Sequence, residues 1–274
     1  MRQRPDRLST NAFLPPVIHG ITSVIGPAGF KLLVESVEDV SRPDAYLSLV
    51  YEAHVDGIIL GARSDDQQLL RLHADNFPVV LWGRLPEIDL PFVDVNNMEA
   101  ARIAVEHLIG LGHRRIACIT NAPPHTGYET IDRLAGYRAA LEAHALPFDE
   151  TLIRYGDWEA RSGFEAMNSL LDLPDRPSAV FIASDEVALG ALRAARIAGV
   201  RIPHDLALMG FDDILVSEYM TPSLTTVRVP AYELGAAAAR MLIEIIQTGQ
   251  RPAPMILETQ LIVRESCGAQ FKPL

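Results

Sequence analysis

The feature that most constrains the fold is a series of short apolar runs that alternates with longer amphipathic stretches. Near-continuous apolar runs of this length are typical of strands that are covered on both faces of a parallel sheet. We predict such strands at residues 30–34, 55–60, 77–82, 115–120, 179–183 and 206–210. Amphipathic helices are predicted between them, at 97–112 (with Asn97 as its N-cap), 186–198 and 231–247. Alternating strands and helices predict an α/β protein with doubly wound parallel sheets.

Three longer connections interrupt this alternation and are rich in turn-forming residues. They lie at 121–127, 220–227 and 248–254, and each contains proline. Three such breaks suit a chain that crosses between two lobes three times.

The charge and the hydrophobic pattern exclude several classes of function. The formal net charge of the 274 residues is −11, and the basic residues are scattered, so the chain by itself is not expected to hold nucleic acid. No apolar run approaches the roughly 20 residues that cross a bilayer, and no secretory signal precedes the first helix, so the expected location is cytoplasmic. Cys118 lies within an apolar run and is predicted to be a small buried hydrophobic residue.

Sequence motifs spread over nearly the whole chain resemble the sensing domain of the LacI/GalR family of bacterial repressors. The matching segments are 11–13, 55–59, 107–116, 133–141, 156–163, 183–190, 209–213, 221–227 and 263–266. The resemblance implies a fold like that of type I periplasmic binding proteins, with an effector between two lobes and a homodimer. It implies an N-terminal lobe of 9–122 plus 226–250 and a C-terminal lobe of 123–222 plus 254–267.

The beginning of the chain differs from the family pattern. The family carries a DNA-binding helix-turn-helix headpiece ahead of this region, and the residues present here could not form one. Residues 1–8 are Met-Arg-Gln-Arg-Pro-Asp-Arg-Leu, which does not suit a buried parallel strand, so we expect an irregular lead-in. Operator DNA is expected to be bound only through the missing headpiece.

Candidate binding residues follow the predicted strands, because ligands of open α/β sheets bind beyond the carboxyl ends of the strands. Asp212 and Asp213 follow one strand, and Ser184 and Asp185 follow another. Asp212 accepts hydrogen bonds, as binding of neighbouring sugar hydroxyls requires, although it could instead cap the next segment. Asp213 is expected to make structural hydrogen bonds.

Two further candidates stand on the predicted C-terminal lobe. Arg133 offers five donors to a carboxylate, a phosphate or hydroxyl groups, whereas an ordinary helix arginine would be exposed. The family's Arg-Leu-x-Gly-aromatic pattern favours the ligand role for Arg133. Trp158 could stack on a sugar or a base, as the tryptophan of lactose-repressor-like proteins implies, or it could fill the core beside a helix start.

The remaining candidates are weaker. Ser184 stands where many relatives have asparagine, and it can both donate and accept one hydrogen bond. Phe13 is expected to form an apolar wall or to pack on a helix, and Asn11 to cap the first helix or to touch the ligand. Trp82 ends a predicted strand, on the side where the cleft between the lobes is expected.

Sequence signals for catalysis, metals and cofactors fail. His107 and His113 are too far apart in sequence to place two metal ligands on one helical face. Phosphate-loop, dinucleotide and nucleophile-elbow motifs are missing, so no cofactor is expected. The adjacent carboxyl groups of Asp212 and Asp213 do not match a glycosidase pair, because sequence neighbours usually point apart.

The sequence therefore predicts a non-enzymatic sensor of a small molecule, most simply a sugar or sugar derivative, within a transcription regulator. The alternative is a stand-alone solute-binding protein that serves a transporter or chemoreceptor. That alternative shares the fold but requires an export signal.

Overall fold

The computed structural model describes residues 11–34, 47–52, 54–61, 67–121 and 127–271. The chain forms two compact units: unit 1 comprises Met1–Val95 and Pro230–Leu257, and unit 2 comprises Asn96–Val229 and Glu258–Leu274. The chain thus passes between the units three times, after Val95, Val229 and Leu257.

Helices and strands alternate along most of the described chain. The helices are α1 (Leu14–Ile25), α2 (Leu47–Glu52), α3 (Gln67–Ala74), α4 (Asn97–Gly110), α5 (Tyr128–Ala143), α6 (Ala160–Leu171), α7 (Asp185–Ile197) and α8 (Ala231–Thr248). The strands are β1 (Ile58–Gly61), β2 (Val79–Trp82), β3 (Phe92–Val95), β4 (Ile116–Thr120), β5 (Ile153–Tyr155), β6 (Ala179–Ile182), β7 (Ala207–Asp212), β8 (Thr226–Arg228), β9 (Met255–Leu257) and β10 (Gln260–Ile262). Short 3₁₀ helices lie at Glu150–Leu152, Leu215–Glu218 and Ala269–Phe271.

Unit 1 contains a four-stranded parallel sheet in the order β1-β2-β3-β9. Helix α1 packs closely on α8. Gly20 on α1 permits this approach, since a Cβ atom there would overlap the carbonyl oxygen of Tyr232 on α8.

The described residues of unit 2 form a six-stranded sheet in the order β10-β8-β7-β6-β4-β5, in which only the β8–β10 pair is antiparallel. Every residue of the central strands β4 and β6 is buried. Helix α4 packs on α5, and α6 packs on α7. Because β4, β5, β6 and β7 are parallel, their carboxyl ends lie at one edge of the sheet, and α5, α6 and α7 begin there.

The predicted α/β class, with parallel sheets in two units, is confirmed. Residues 30–34, however, form no strand: they have no regular structure, and Leu33 is 57 % exposed. The apolar composition of this segment was misleading, because a strand also needs a neighbour to complete its hydrogen bonds, and none of the described strands pairs with it. The predicted lead-in at residues 1–8 lies outside the described residues.

The first boundary between the units also differs from the expected one. The expected boundary lay after residue 122. Strand β4 pairs with β5 and β6, so α4 and β4 belong to unit 2, and the chain enters that unit at Asn96. The later crossings fall at Val229 and Leu257, outside the turn-rich breaks, because β8 pairs with β7 while β9 still pairs with β3.

Smaller differences concern helix ends and short strands. The N-cap of α4 is Asn96, whose side chain accepts a hydrogen bond from the backbone N–H of Glu99, and not Asn97. Strands β3, β5, β8, β9 and β10 were not predicted, since strands of three or four residues carry little periodicity.

Cys118 is fully buried as predicted, and burial raises the pKa of its thiol. Within the described ranges, no helix has both the length and the apolar character needed to span a membrane.

Candidate functional site

Arg133 lies buried at the edge of the unit 2 sheet and is not an exposed helix arginine. Its side chain is 8 % exposed, and its Nε donates to Oδ1 of Asn97 at 2.9 Å. Its Nη1 donates to the carbonyl oxygen of Ala183 and lies 3.5 Å from Oδ1 of Asp212. The guanidinium carbon stands 3.8 Å from the centre of the Phe211 ring. These contacts hold the planar guanidinium in one orientation.

Asp212 is the last residue of β7, and its side chain is 11 % exposed. Burial raises the pKa of this carboxyl group to about 6, against the opposing effects of the Arg133 charge and of a hydrogen bond with Ser184. The backbone of Asp212 has φ of +111°, and its neighbour Asp213 has φ of +56°. Strained backbone of this kind clusters at binding sites, where the surrounding structure holds it in place.

Asp213 is held by two ion pairs within unit 2, and the structural role expected of it stays a prediction. Its side chain is 5 % exposed and lies between two guanidinium groups, those of Arg228 and Arg264, each at 2.7 Å. The charge of Asp213 is thereby matched by partners from β8 and from the segment after β10.

A second buried carboxyl group, that of Asp185, was not assigned a role from the sequence. Asp185 is fully buried and accepts hydrogen bonds from Oγ1 of Thr226 at 2.7 Å, from Oγ of Ser217 at 2.6 Å and from the backbone N–H of Ile214 at 3.2 Å. Burial and the nearby charge of Asp212 outweigh these bonds and raise the pKa of Asp185 to about 8. Its place directly after a buried strand and its position in the matching segment 183–190 were the available signals.

The raised pKa of Asp185 predicts that stability falls with rising pH. A carboxyl group whose folded pKa exceeds its unfolded value contributes stability that is complete below about pH 4 and is lost as the pH rises through its folded pKa. The amide of Asp185→Asn does not titrate. We expect this variant to show a smaller fall in unfolding free energy between pH 5 and pH 8 than the wild type, by about 1 kcal/mol or more. Urea denaturation at several pH values measures this slope.

Asp205→Asn is the matched control for that measurement. Asp205 is an exposed carboxylate bonded to Arg201, which lowers its pKa, so its titration lies below pH 4. The control should keep the wild-type slope. An Asp185→Asn variant with an unchanged slope would contradict the assignment.

Trp158 stands in the loop between β5 and α6, half-buried, with φ of +72°. A left-handed backbone is uncommon for a bulky residue, which makes the position notable. Within the described residues, no hydrogen bond joins Trp158 to Arg133, Ser184 or Asp212.

The three remaining candidates belong to unit 1. The ring centres of Phe13 and Trp82 are 6.5 Å apart and the rings are tilted by 57°. The Trp82 indole lies against Gly61, where a Cβ atom would overlap Nε1. Asn11 does not cap α1 itself: its Oδ1 accepts the N–H of Phe13, one residue before the helix begins at Leu14.

The structure also reveals Asn97, Phe211 and Asn121 as supports of Arg133. Asn97 and Phe211 contact the guanidinium directly, and Nδ2 of Asn121 donates to the carbonyl oxygen of Ala183 at 2.8 Å. Phe211 lies in the matching segment 209–213 and Asn121 directly follows a predicted strand, but these local signals do not predict the link to Arg133, which joins distant parts of the sequence.

Comparisons with known proteins show that the chain is similar to transcriptional regulators. The periplasmic binding protein-like domain family matches residues 105–267. The HTH-type transcriptional regulator CelR of Thermobifida fusca is 37 % identical over 266 residues, which cover 95 % of this chain and 77 % of CelR. The HTH-type transcriptional repressor CytR of Escherichia coli K12 is 34 % identical over 94 % of this chain and 76 % of CytR.

A solved structure is also similar. It is the complex of the transcriptional regulator CelR with cellobiose, with a TM-score of 0.87 and 37 % identity, covering 97 % of this chain and 82 % of that chain.

Proposed function

The chain belongs to the LacI family of transcriptional regulators, and on that premise we propose that its Arg133, Ser184 and Asp212 bind a small polar effector, a sugar or sugar derivative. In this proposal the effector is bound and released unchanged. CelR and CytR are transcriptional regulators, which favours a sensor over the transporter-linked alternative.

The observation that carries the proposal is the incomplete bonding of Arg133. Its Nε and Nη1 are engaged, whereas Nη2 has no hydrogen-bond partner among the described residues. An unengaged donor on a guanidinium group that is otherwise held in place is available to a ligand or to water. A sugar oxygen or hydroxyl group beside Nη2 would do so.

Asp212 supplies the complementary chemistry. Its carboxylate contacts Ser184 and lies 3.5 Å from Arg133, a distance too long for a strong hydrogen bond. It therefore retains acceptor capacity for the hydroxyl hydrogens of a ligand.

The aromatic candidates would contribute apolar contact. Trp158 in unit 2, and Phe13 and Trp82 in unit 1, offer ring faces suited to the apolar face of a pyranose. Asn11 would add an amide. The position of the effector between the two lobes stays a prediction from the family resemblance.

Binding would act on DNA through the equilibrium between two states of the regulator. Shifting such an equilibrium from 1:99 to 99:1 requires about 5.5 kcal/mol of differential binding, which two or three charge-assisted hydrogen bonds can supply. We propose that the regulator works as a homodimer, that a helix-turn-helix headpiece contacts operator DNA, and that the effector changes operator affinity.

A thermal-shift screen against sugars, polyols, sugar acids and purines tests the proposal. A ligand that raises the melting temperature of the wild type should raise that of Asp212→Asn by less than half as much, because the amide cannot replace a charged acceptor. The control Asp205→Asn changes an exposed carboxylate and should respond as the wild type does.

The proposal fails if Asp212→Asn is stabilised as strongly as the wild type. Incubation of the protein with each stabilising ligand, followed by chromatography, tests the absence of turnover. A new product would show that the protein is an enzyme.

A further inference from the structure

We infer that the effector bound at Arg133, Ser184 and Asp212 is an uncharged polyhydroxyl compound, and that phosphorylated or carboxylated sugars are rejected. This inference rests on the proposed function and names the chemical class of its ligand. It follows from how the chain's own carboxylates are placed at this edge of the unit 2 sheet.

Helix N-termini are the usual anion sites of α/β proteins, since their free N–H groups and dipoles favour negative charge. Helices α5, α6 and α7 all begin at the carboxyl edge of the sheet, where an effector would bind. Each has an acidic residue at that end. Glu129 lies in the first turn of α5, Glu159 directly precedes α6, and Glu186 lies in the first turn of α7.

The acidic residue of α5, Glu129, lies close to the N-terminus of its own helix. The Glu129 carboxylate lies against Gly127, the residue that precedes the helix, where a Cβ atom would overlap its oxygens. The negative charge that this helix end attracts is therefore supplied by the protein itself.

Glu186 and Glu159 provide repulsion toward an anion. Glu186 is half-buried, and its pKa is raised by burial and by the negative charge of Glu159. No ion pair of either residue exists among the described residues. Arg161, the basic residue in the first turn of α6, is paired with Glu165 at 2.9 Å.

The arginines of this region also have acidic partners, although three guanidinium groups face only two aspartates. Arg133 faces Asp212, and both Arg228 and Arg264 are bonded to Asp213. The carboxylates of the two aspartates and of the three helix-terminal glutamates outnumber the three guanidinium groups, which disfavours an incoming phosphate or carboxylate. Hydroxyl groups suit this set better, because they can donate to carboxylates and also accept from Nη2 of Arg133.

Matched pairs of probes test the inference by titration calorimetry at pH 7.5: glucose against glucose 6-phosphate and gluconate, cellobiose against cellobionate, and ribose against ribose 5-phosphate. In the pair that binds, we expect the uncharged member to bind at least tenfold more tightly than its anionic partner. An anionic member that binds equally well or better would overturn the inference.

Glu186→Gln removes one source of repulsion toward an anion. It should strengthen the binding of the anionic member and so reduce the ratio of the two affinities in that pair at least threefold. Glu142→Gln, at the far end of α5, is the control and should keep the wild-type preference. If Glu186→Gln also keeps the wild-type preference for the uncharged member, the role given to Glu186 is wrong.

The two possible failures can be distinguished. If an anionic sugar binds best and Arg133→Gln abolishes that binding, the site is correct and only the charge class is wrong. If no member of any pair binds the folded wild-type protein, the proposed function and the inference both fail.

Discussion

We expect Arg133→Met to weaken effector binding strongly and to destabilise unit 2. Methionine keeps most of the volume of the aliphatic stem but removes the guanidinium group that lies over the Phe211 ring, and with it every donor. A charge-assisted hydrogen bond contributes about 1.5 to 3 kcal/mol, so each bond lost to the ligand weakens binding about 10- to 150-fold. Calorimetry with any ligand found by the thermal-shift screen measures this loss.

The same substitution leaves Asp212 buried without the Arg133 cation and removes the hydrogen bond from Arg133 to Oδ1 of Asn97. Breaking a buried ion pair from one side costs about 3 to 5 kcal/mol, and we expect the lower part of that range because Asp212 can take up a proton. The double variant Arg133→Met with Asp212→Asn should recover part of the lost stability, since the unpaired charge is gone. Urea denaturation measures both effects.

Arg138→Met is the matched control for Arg133. It lies on the same helix and also places its guanidinium over a phenylalanine ring, 4.2 Å from the centre of Phe148, but it is exposed. It should lower stability by less than about 1 kcal/mol and leave ligand affinity unchanged. Wild-type affinity in folded Arg133→Met would remove Arg133 from the binding site.

Gly190→Ala is expected to separate α6 from α7 and to cost about 3 kcal/mol or more of unfolding free energy. A Cβ atom at Gly190 would overlap the carbonyl oxygen of Ala160, and the opposite contact at Gly163 is equally close to the carbonyl oxygen of Val187. Overpacking usually costs about 1 to 3 kcal/mol, but here the obstacle is backbone, which cannot change rotamer. Because α6 and α7 follow β5 and β6, their separation should also disturb Ser184.

Gly110→Ala provides the comparison within the same unit. Gly110 is also helical, at the end of α4, and a Cβ atom there meets nothing within 4 Å. The substitution should be neutral or stabilise by up to about 1 kcal/mol, because alanine has the higher helix propensity. Equal melting temperatures for the Gly190→Ala and Gly110→Ala variants would contradict the close packing of α6 and α7.

Hydrophobic periodicity was sufficient to predict the longer elements. The helix predicted at 231–247 is Ala231–Thr248, and the strand predicted at 179–183 is Ala179–Ile182. Such elements carry their own signal, because burial on one helical face or on both strand faces repeats within a few residues. The failure at 30–34 shows the limit of that signal: apolar composition is local, but strand pairing is not.

The site residues also show the difference between what local sequence predicts and what depends on distant neighbours. The rule for open α/β sheets selected Ser184 and Asp212 from their positions after strands, and the family resemblance selected Arg133. Their bonds were not predictable, because Arg133 meets its acceptor on Ala183 across 50 positions of sequence. Asp185, which joins α7 to β8 through Thr226, was assigned no role for the same reason.

The sequence by itself thus determined the class of fold, the order of most elements and the family, since each is encoded in short-range pattern or in motifs along the chain. The tertiary structure decided which unit β4 joins, where the three crossings fall, and that Arg133 is buried against Phe211 with one nitrogen unengaged. Strand pairing and burial of charge depend on neighbours brought from far along the chain, and their energies are settled only when those neighbours meet.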